Sequence, residues 1–291
     1  MNQSHPRAAE GAPLASESAG EVRAALTFAV PQDTKPYFRS SALTGGVPEV
    51  FFESEEHTVT IRDMRPMADE LSLDRQGFVL LHHETAVENL RDDPSVDAAY
   101  DREIEALLKE TTGAKRVVVF DRTRRSDGAS GAANRDGFRG PANRVHVDYT
   151  VASGPKRAGD FLGAGEVDRV LGSGGRIVQI NVWRPFTGPV QRTPLAVGDA
   201  ASIKPEELVA TDQLFPDRVG EIYQLAHGAE QRWYWAPLID RDEVLLIKGW
   251  DSLDDGRARF TPHGAFQLPG QNPDAPVRES IELRTYLVFE G

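Results

Sequence analysis

The stretch RVHVDYT, Arg144 to Thr150, decides how this chain is read. Val145, Val147 and Tyr149 alternate with His146 and Asp148, the period-two pattern of a β-strand. Residues two apart in a strand point to the same face. An imidazole and a carboxylate can then converge from one strand on a single ion, with the apolar set packed behind them. Two simpler arrangements compete: a solvated strand face, or a core histidine satisfied by Asp148. The choice depends on whether the rest of the chain supplies a third ligand.

Strand signals surround this stretch. GRIVQINVWRP, Gly175 to Pro185, is the clearest; Gln179, Asn181 and Trp183 share one face, and Val178, Ile180 and Val182 the other. KRVVVFD (Lys115 to Asp121), RVHVDYTVAS, TPLAVGDA, RWYWAPLI, EVLLIKGWD and ESIELRTYLVFE add further strands. Upstream, VRAALTFAV suits a short strand or a helical turn. HTVTIRDMRPM is a strand broken by Pro66, and GFVLLHHETAV a further strand. SVDAAYDREIEALLKETTG, Ser95 to Gly113, reads as a helix: Ala99, Ile104, Leu107 and Leu108 form its apolar face, and Gly113 can stop it. Residues 122–143, rich in Arg, Ser, Gly and Asn, read as a long loop, with Arg122, Arg124 and Arg125 as ordinary loop charges. The spacing of strands after residue 114 favours a barrel or sandwich over βαβ repeats.

The 291 residues carry 33 Lys and Arg against 45 Asp and Glu, a formal net charge of -12. Such a surface repels phosphate backbones, which argues against nucleic acid as a partner. With no cysteine, disulfides, thiolate nucleophiles and Cys-based zinc or iron–sulfur sites are excluded. No apolar run approaches membrane-spanning length, and the N-terminus lacks the apolar core of a signal peptide. These features predict a disordered tail over 1–20 and one cytoplasmic domain over 21–291, a monomer or homodimer. Within it, 21–113 form an N-terminal α/β extension and 114–291 the β core.

Of the seven histidines, His5 lies in the tail, and His57, His82 and His83 in the N-terminal part. His227 sits in AHGAEQ, a turn. His263 sits in FTPHGAF, between turn residues and aromatics just before the final strand region, a context that suits the rim of a barrel. Two histidines and one carboxylate form a facial set that leaves coordination positions open, the ligand pattern of non-haem Fe(II) oxygenases. In APVRESIELRTYLVF, Arg278 and Ser280 share a strand face. An arginine can grip a carboxylate through two parallel hydrogen bonds, and a serine hydroxyl adds a third. The alternative is an exposed edge strand in which Arg278 and Arg284 pair with Glu279 or Glu282.

Together these pieces resemble the Fe(II)/2-oxoglutarate-dependent dioxygenase superfamily. More narrowly they resemble the CmcJ/NvfI-like hydroxylases and methoxylation-linked oxygenases of bacterial and fungal secondary metabolism. The resemblance covers roughly residues 60–291. It rests on GFVLLHHETAV, GAKRVVVFDRTRR, RVHVDYTVASGPKR, INVWRPFTGPVQRTPLAVGDA, QRWYWAPLIDRDEVLLIKGWDS and FTPHGAFQLPG with PVRESIELRT. It implies a mainly β fold with flanking helices around a double-stranded β-helix (jelly-roll, cupin-like) core. It also implies an iron triad of His146, Asp148 and His263 and a 2-oxoglutarate anchor of Arg278 and Ser280. The usual family form has cysteine at the position of Gly198 and often threonine at that of Gly264, differences that spare the triad and bear on the pocket lining.

On this resemblance the chain is expected to use Fe(II), 2-oxoglutarate and O2. The expected reaction hydroxylates a C–H bond of a small or medium natural-product intermediate, with release of succinate and CO2. Strand parity adds Gln179 and Asn181 to the expected cosubstrate wall, and Arg184 at the strand end as a group within reach of cosubstrate or substrate. Trp233 and Trp235 oppose Tyr234, one set for the core and one for the cavity, and Tyr149 is expected behind the site. Desaturation, epoxidation, cyclisation and endoperoxide formation are alternatives on the same fold. A non-catalytic cupin-like binding protein is a further one. A zinc hydrolase could use the same ligands but gives no reason for Arg278 and Ser280.

Overall fold

A computed structural model describes residues 20–91, 94–128 and 138–291. The expected tail up to residue 19, and residues 129–137 of the expected loop, lie outside the described residues. In chain order the strands are β1 (Glu21–Ala29), β2 (Tyr37–Arg39), β3 (Glu49–Val50), β4 (Ser54–Asp63), β5 (Phe78–His82), β6 (Arg116–Ser126), β7 (Phe138–Arg139), β8 (His146–Val147), β9 (Arg176–Pro185), β10 (Leu195–Gly198), β11 (Leu208–Leu214), β12 (Val219–Leu225), β13 (Trp233–Trp235), β14 (Glu243–Asp251), β15 (His263–Ala265) and β16 (Glu279–Phe289). The helices are α1 (Ser41–Thr44), α2 (Pro94–Thr112), α3 (Ser153–Leu162) and α4 (Ala164–Gly172).

The strands form a ten-stranded sheet in the order β1-β4-β13-β10-β15-β8-β12-β11-β2-β3 and a six-stranded sheet in the order β5-β14-β9-β16-β6-β7. They curl over one another as the double-stranded β-helix of a jelly roll. β8, β10 and β15 of the large sheet face β6, β9 and β16 of the small one across a narrow cavity. β1 and β4 pair along their length and join the large sheet through β13, while β5 joins the small sheet through β14. Strands from before residue 114 therefore sit in both sheets.

β9 holds the middle of the small sheet, and every residue from Ile177 to Pro185 is buried. Its outward side chains Val178, Ile180 and Val182 pack with Leu283 and Leu287 of β16 against Tyr100, Ile104 and Leu108 of α2. These three helix residues recur at four-residue spacing, one turn apart on one stripe. The buried stripe thus takes in Tyr100, whereas Ala99 is only half-buried.

Two expectations change. β6 does not end at Asp121; it continues to Ser126, paired with β16 from Glu279 opposite Ser126 to Val288 opposite Arg116. The arginines there are strand residues. Arg122 and Arg124 point outward to Asp101 and Asp97, one helical turn apart on α2, so a charge run that resembles a loop is neutralised by a helix face. The strand at RVHVDYTVAS is also shorter, ending at Val147. The Thr150 hydroxyl accepts hydrogen bonds from the Ala152 and Ser153 amides and opens α3 instead. Glycines obscured α3 and α4 in the sequence, although Ala158, Val167 and Val170 give them buried faces.

Gly154 in α3 lies against Trp250: a Cβ built there would stand 2.5 Å from the indole ring. Gly154→Ala is expected to destabilise the fold by about 1–3 kcal/mol through overpacking. Gly165→Ala in α4, whose Cβ would meet nothing within 4 Å, is expected to stabilise it by about 0.5–1 kcal/mol. Chemical denaturation of the two variants beside the parent checks both signs.

Candidate active site

His263 on β15 stands directly opposite His146 on β8 in an antiparallel pair. Cross-strand partners project to one face, so two imidazoles far apart in sequence lie with ring centroids 4.6 Å apart. Asp148 follows just past the end of β8, with Oδ1 3.6 Å from His146 Nε2. One ligand atom from each of the three residues lies within 4.8 Å of the others.

The remaining polar atoms of the triad are engaged elsewhere. His146 Nδ1 lies 2.9 Å from the Arg144 carbonyl, and His263 Nδ1 lies 3.1 Å from the Thr261 carbonyl. A carbonyl only accepts, so each Nδ1 carries the proton and each Nε2 keeps a free lone pair. Asp148 Oδ2 accepts from Asn181 Nδ2 at 2.6 Å and from Arg284 Nε at 3.2 Å, which leaves Oδ1 available. Two neutral nitrogens and one anionic oxygen, oriented from behind by hydrogen bonds, fit Fe(II). Burial pushes the His146 imidazole down to about 3, with the neighbouring His263 adding to the effect, so the ring is neutral at pH 7. Burial works to raise the Asp148 carboxyl, but the Arg284 guanidinium, with the Asn181 amide, outweighs it and holds the group ionised, well below the usual carboxylate range.

The inner face of the small sheet is a register-aligned grid. Arg284 of β16 lies between Asp121 of β6 and Asn181 of β9; Glu282 lies between Thr123 and Trp183; Ser280 lies between Arg125 and Pro185. Arg278, two residues before Ser280, donates from Nη1 to the serine Oγ at 2.8 Å, while its buried Nε has no partner. Its guanidinium carbon lies 5.9 Å from the centre of the Trp183 ring. Burial, with Arg125 nearby, lowers Arg278 to about 10, still charged at pH 7. A buried arginine with a donor to spare fits a ligand carboxylate. Arg278, Trp183, His146 and His263 line one cavity together with Arg125 and Glu282.

Gln179 and Asn181 stand behind the triad rather than in the cosubstrate wall. Gln179 Nε2 donates to Asn181 Oδ1 at 2.6 Å, and Asn181 donates to Asp148. Arg184 is a correction. Sharing the parity of Val182, it points to the opposite side of β9, where it donates to the Tyr100 hydroxyl and the His83 carbonyl, each at 2.8 Å, and to the Arg241 carbonyl. Tyr149 packs with Trp250 and Tyr286, and Trp233 and Trp235 pack in the core of the large sheet. Cβ atoms at Gly198 and Gly264 would face Trp233 and Val145, so these departures from the family form bear on core packing, not on the cavity. The sequence-based site lacked Arg125, Glu282 and Arg284; continuing the alternation of Arg278 and Ser280 by four residues, and β6 by its register, reaches all three.

A family profile described as an oxidoreductase/YMDC permease-like domain matches residues 26–289. No helix among the described residues is long and apolar enough to cross a membrane. The alpha-ketoglutarate-dependent dioxygenase tstK of Talaromyces stipitatus is 32% identical over 245 residues, covering 79% of this chain and 84% of that protein. The hydroxylase/desaturase efuI of Hormonema carpetanum is 32% identical over 298 residues, covering 92% and 98%. The solved structure of the iron and alpha-ketoglutarate-dependent endoperoxidase NvfI superposes with a TM-score of 0.81 at 31% identity, covering 94% of this chain and all of the other. The chain belongs to the NvfI-like family of Fe(II)/2-oxoglutarate-dependent dioxygenases. As such a dioxygenase it uses Fe(II), 2-oxoglutarate and O2 on a small-molecule substrate.

The depressed basicity of His146 has a measurable consequence for the metal-free dioxygenase. An unfolded histidine takes up a proton near pH 6.5, whereas the folded ring resists until about 3. The unfolded state therefore binds more protons in this window, and stability falls as pH drops below about 6.5. Between pH 6.5 and pH 5 this group accounts for about 2 kcal/mol. Urea unfolding in chelator at the two pH values should show that loss in the parent and not in His146→Asn.

Proposed function

We propose that this dioxygenase hydroxylates a C–H bond of a small or medium natural-product intermediate. In this proposal iron is held by His146, Asp148 and His263, and the distal carboxylate of 2-oxoglutarate by Arg278 and Ser280. One observation carries it: His146 and His263, whose ligand atoms gather with that of Asp148 within 4.8 Å of one another, line the same cavity as a buried, under-partnered arginine. When bound, iron with 2-oxoglutarate and O2 supplies an oxidation strong enough to break such a bond, with release of succinate and CO2. The protein's own contribution is orientation and exclusion of competing reactions. Asn181 and Arg284 keep Asp148 ionised and turned, so that Oδ1 alone points to the histidines. Arg278 and Ser280 fix which end of the cosubstrate approaches the triad, and Trp183 closes the wall between them. The net charge of -12 supports a small molecule rather than nucleic acid as partner.

Desaturation or endoperoxide formation is a second reading, favoured by the names of efuI and NvfI. Once a substrate is in hand, product mass separates the outcomes: one oxygen gained for hydroxylation, two for an endoperoxide, two hydrogens lost for desaturation.

Anaerobic protein given Fe(II) and 2-oxoglutarate should develop a weak visible charge-transfer band; no band together with no cosubstrate binding would overturn the assignment. Alanine at His146, Asp148 or His263 should abolish iron retention while the circular dichroism spectrum stays native, and unchanged iron content would put the ligands elsewhere. Arg278→Ala should weaken 2-oxoglutarate roughly 10- to 100-fold with iron content unaffected.

A further inference from the structure

The alternation that turns Arg278 and Ser280 inward brings a second guanidinium into the same cavity. Arg125 stands opposite Ser280 across the β6–β16 pair, so two arginines flank one serine. Both line the cavity with His146, His263 and Trp183. The charge of Arg125 acts on Arg278 on one side and on His146 on the other, and Asp148 acts back on Arg125. Arg125 thus starts from the Ser280 row of the sheet and lines the cavity that reaches His146 and His263. Among the described residues its hydrogen bonding is limited to Nη1 donating to the Gly140 carbonyl at 2.9 Å, although a guanidinium has five donors. Glu282 is the carboxylate among the cavity-lining residues, so two cations meet one anion there.

We propose that Arg125 is a second anion-binding residue of this cavity, holding the 2-oxo-carboxylate end of the cosubstrate while Arg278 and Ser280 hold the far carboxylate. This rests on the iron and 2-oxoglutarate assignment above. A guanidinium toward each end matches a dicarboxylate along its length. It also adds a cation near Glu282, whose ion-pair partner is Arg284. A purely structural role, neutralising Glu282 diagonally across the strand pair, would leave ligand affinity untouched when the charge is removed.

The test uses the full chain loaded with Mn(II), which stands for Fe(II) without turnover. Calorimetry gives the affinity for 2-oxoglutarate and for 2-oxobutanoate, which keeps the 2-oxo acid but lacks the far carboxylate. Arg125→Gln should weaken both by a similar factor, roughly 10- to 100-fold, whereas Arg278→Ala should weaken 2-oxoglutarate alone. Arg125→Lys, which keeps the charge without the fork, should weaken both by less, and it replaces the Gln variant if thermal unfolding shows that Gln does not fold. Parental affinity for both ligands in the folded Arg125 variant, or a loss confined to 2-oxoglutarate, overturns the proposal. If only Arg278→Ala loses 2-oxoglutarate, the role of Arg125 falls and the site assignment stands. If the parent protein binds no 2-oxoglutarate, both fall.

Discussion

The Asp148 carboxylate is the point at which the two sheets are tied together. It projects from just past the end of β8 in the large sheet, and Asn181 of β9 and Arg284 of β16 in the small sheet meet its Oδ2. An ionised carboxylate in a buried setting is costly unless charge and hydrogen bonds compensate it. Here they do so on one oxygen only. The same bonds that make its burial tolerable also dictate which oxygen remains for a metal. The histidines obey the same logic with neutral groups, each spending Nδ1 on a backbone carbonyl two residues upstream.

Arg284 also has to be kept charged in a buried place, and three carboxylates do this. Asp121 lies 2.6 Å from Nη1, Glu282 2.7 Å from Nη2, and Asp148 3.2 Å from Nε. The register of β6, β16 and β9 sets these contacts, since Asp121, Arg284 and Asn181 share one row. A slip of one residue in β16 would turn Arg284 outward into the apolar layer under α2 and leave Asp148 without its cation. The apolar outer face of β16 and the polar inner face therefore specify one register together.

Much of the site was legible because strand parity is local and strict. His146 with Asp148, and Arg278 with Ser280, are pairs two apart; His146 and Arg278 line the cavity, and each has its companion beside it. The parity of β9 was also legible in Gln179, Asn181 and Trp183, but parity gives a face and not a neighbour. Asn181 reaches a carboxylate on the other sheet, and no spacing within β9 reveals that. Arg184 shows the converse: being near the strand end said nothing of the face it shares with Val182, where Tyr100 holds it. Arg125 was hidden because the arginine run of β6 depends on α2 for its neutral outer face. Without the helix in view, such a run looks like a loop. α3 and α4 escaped for a related reason, since Gly154 is required by its contact with Trp250 and not by a turn.

The carboxylate is also supported from the far side of the small sheet. Lys248 of β14 is fully buried, and its ammonium uses its three donors on Asp74 at 2.7 Å, Asp251 at 2.8 Å and the Ala258 carbonyl at 2.9 Å. That cluster fixes β14 where its pairing with β9 shifts register between Lys248 and Trp250. The bulged residue is Gly249, and a Cβ there would fall 1.9 Å from Gln179 Oε1. A β-bulge opens local space on one strand without breaking the sheet, and glycine leaves that space to the Gln179 side chain. Gln179 in turn holds Asn181, and Asn181 holds Asp148. A buried lysine on one side of the sheet and a metal-binding carboxylate on the other are thus connected through a bulge and two amides. The connection rests on an ammonium with every donor used, a strand bulged at a glycine, and an Asn181 amide whose two polar ends are both engaged.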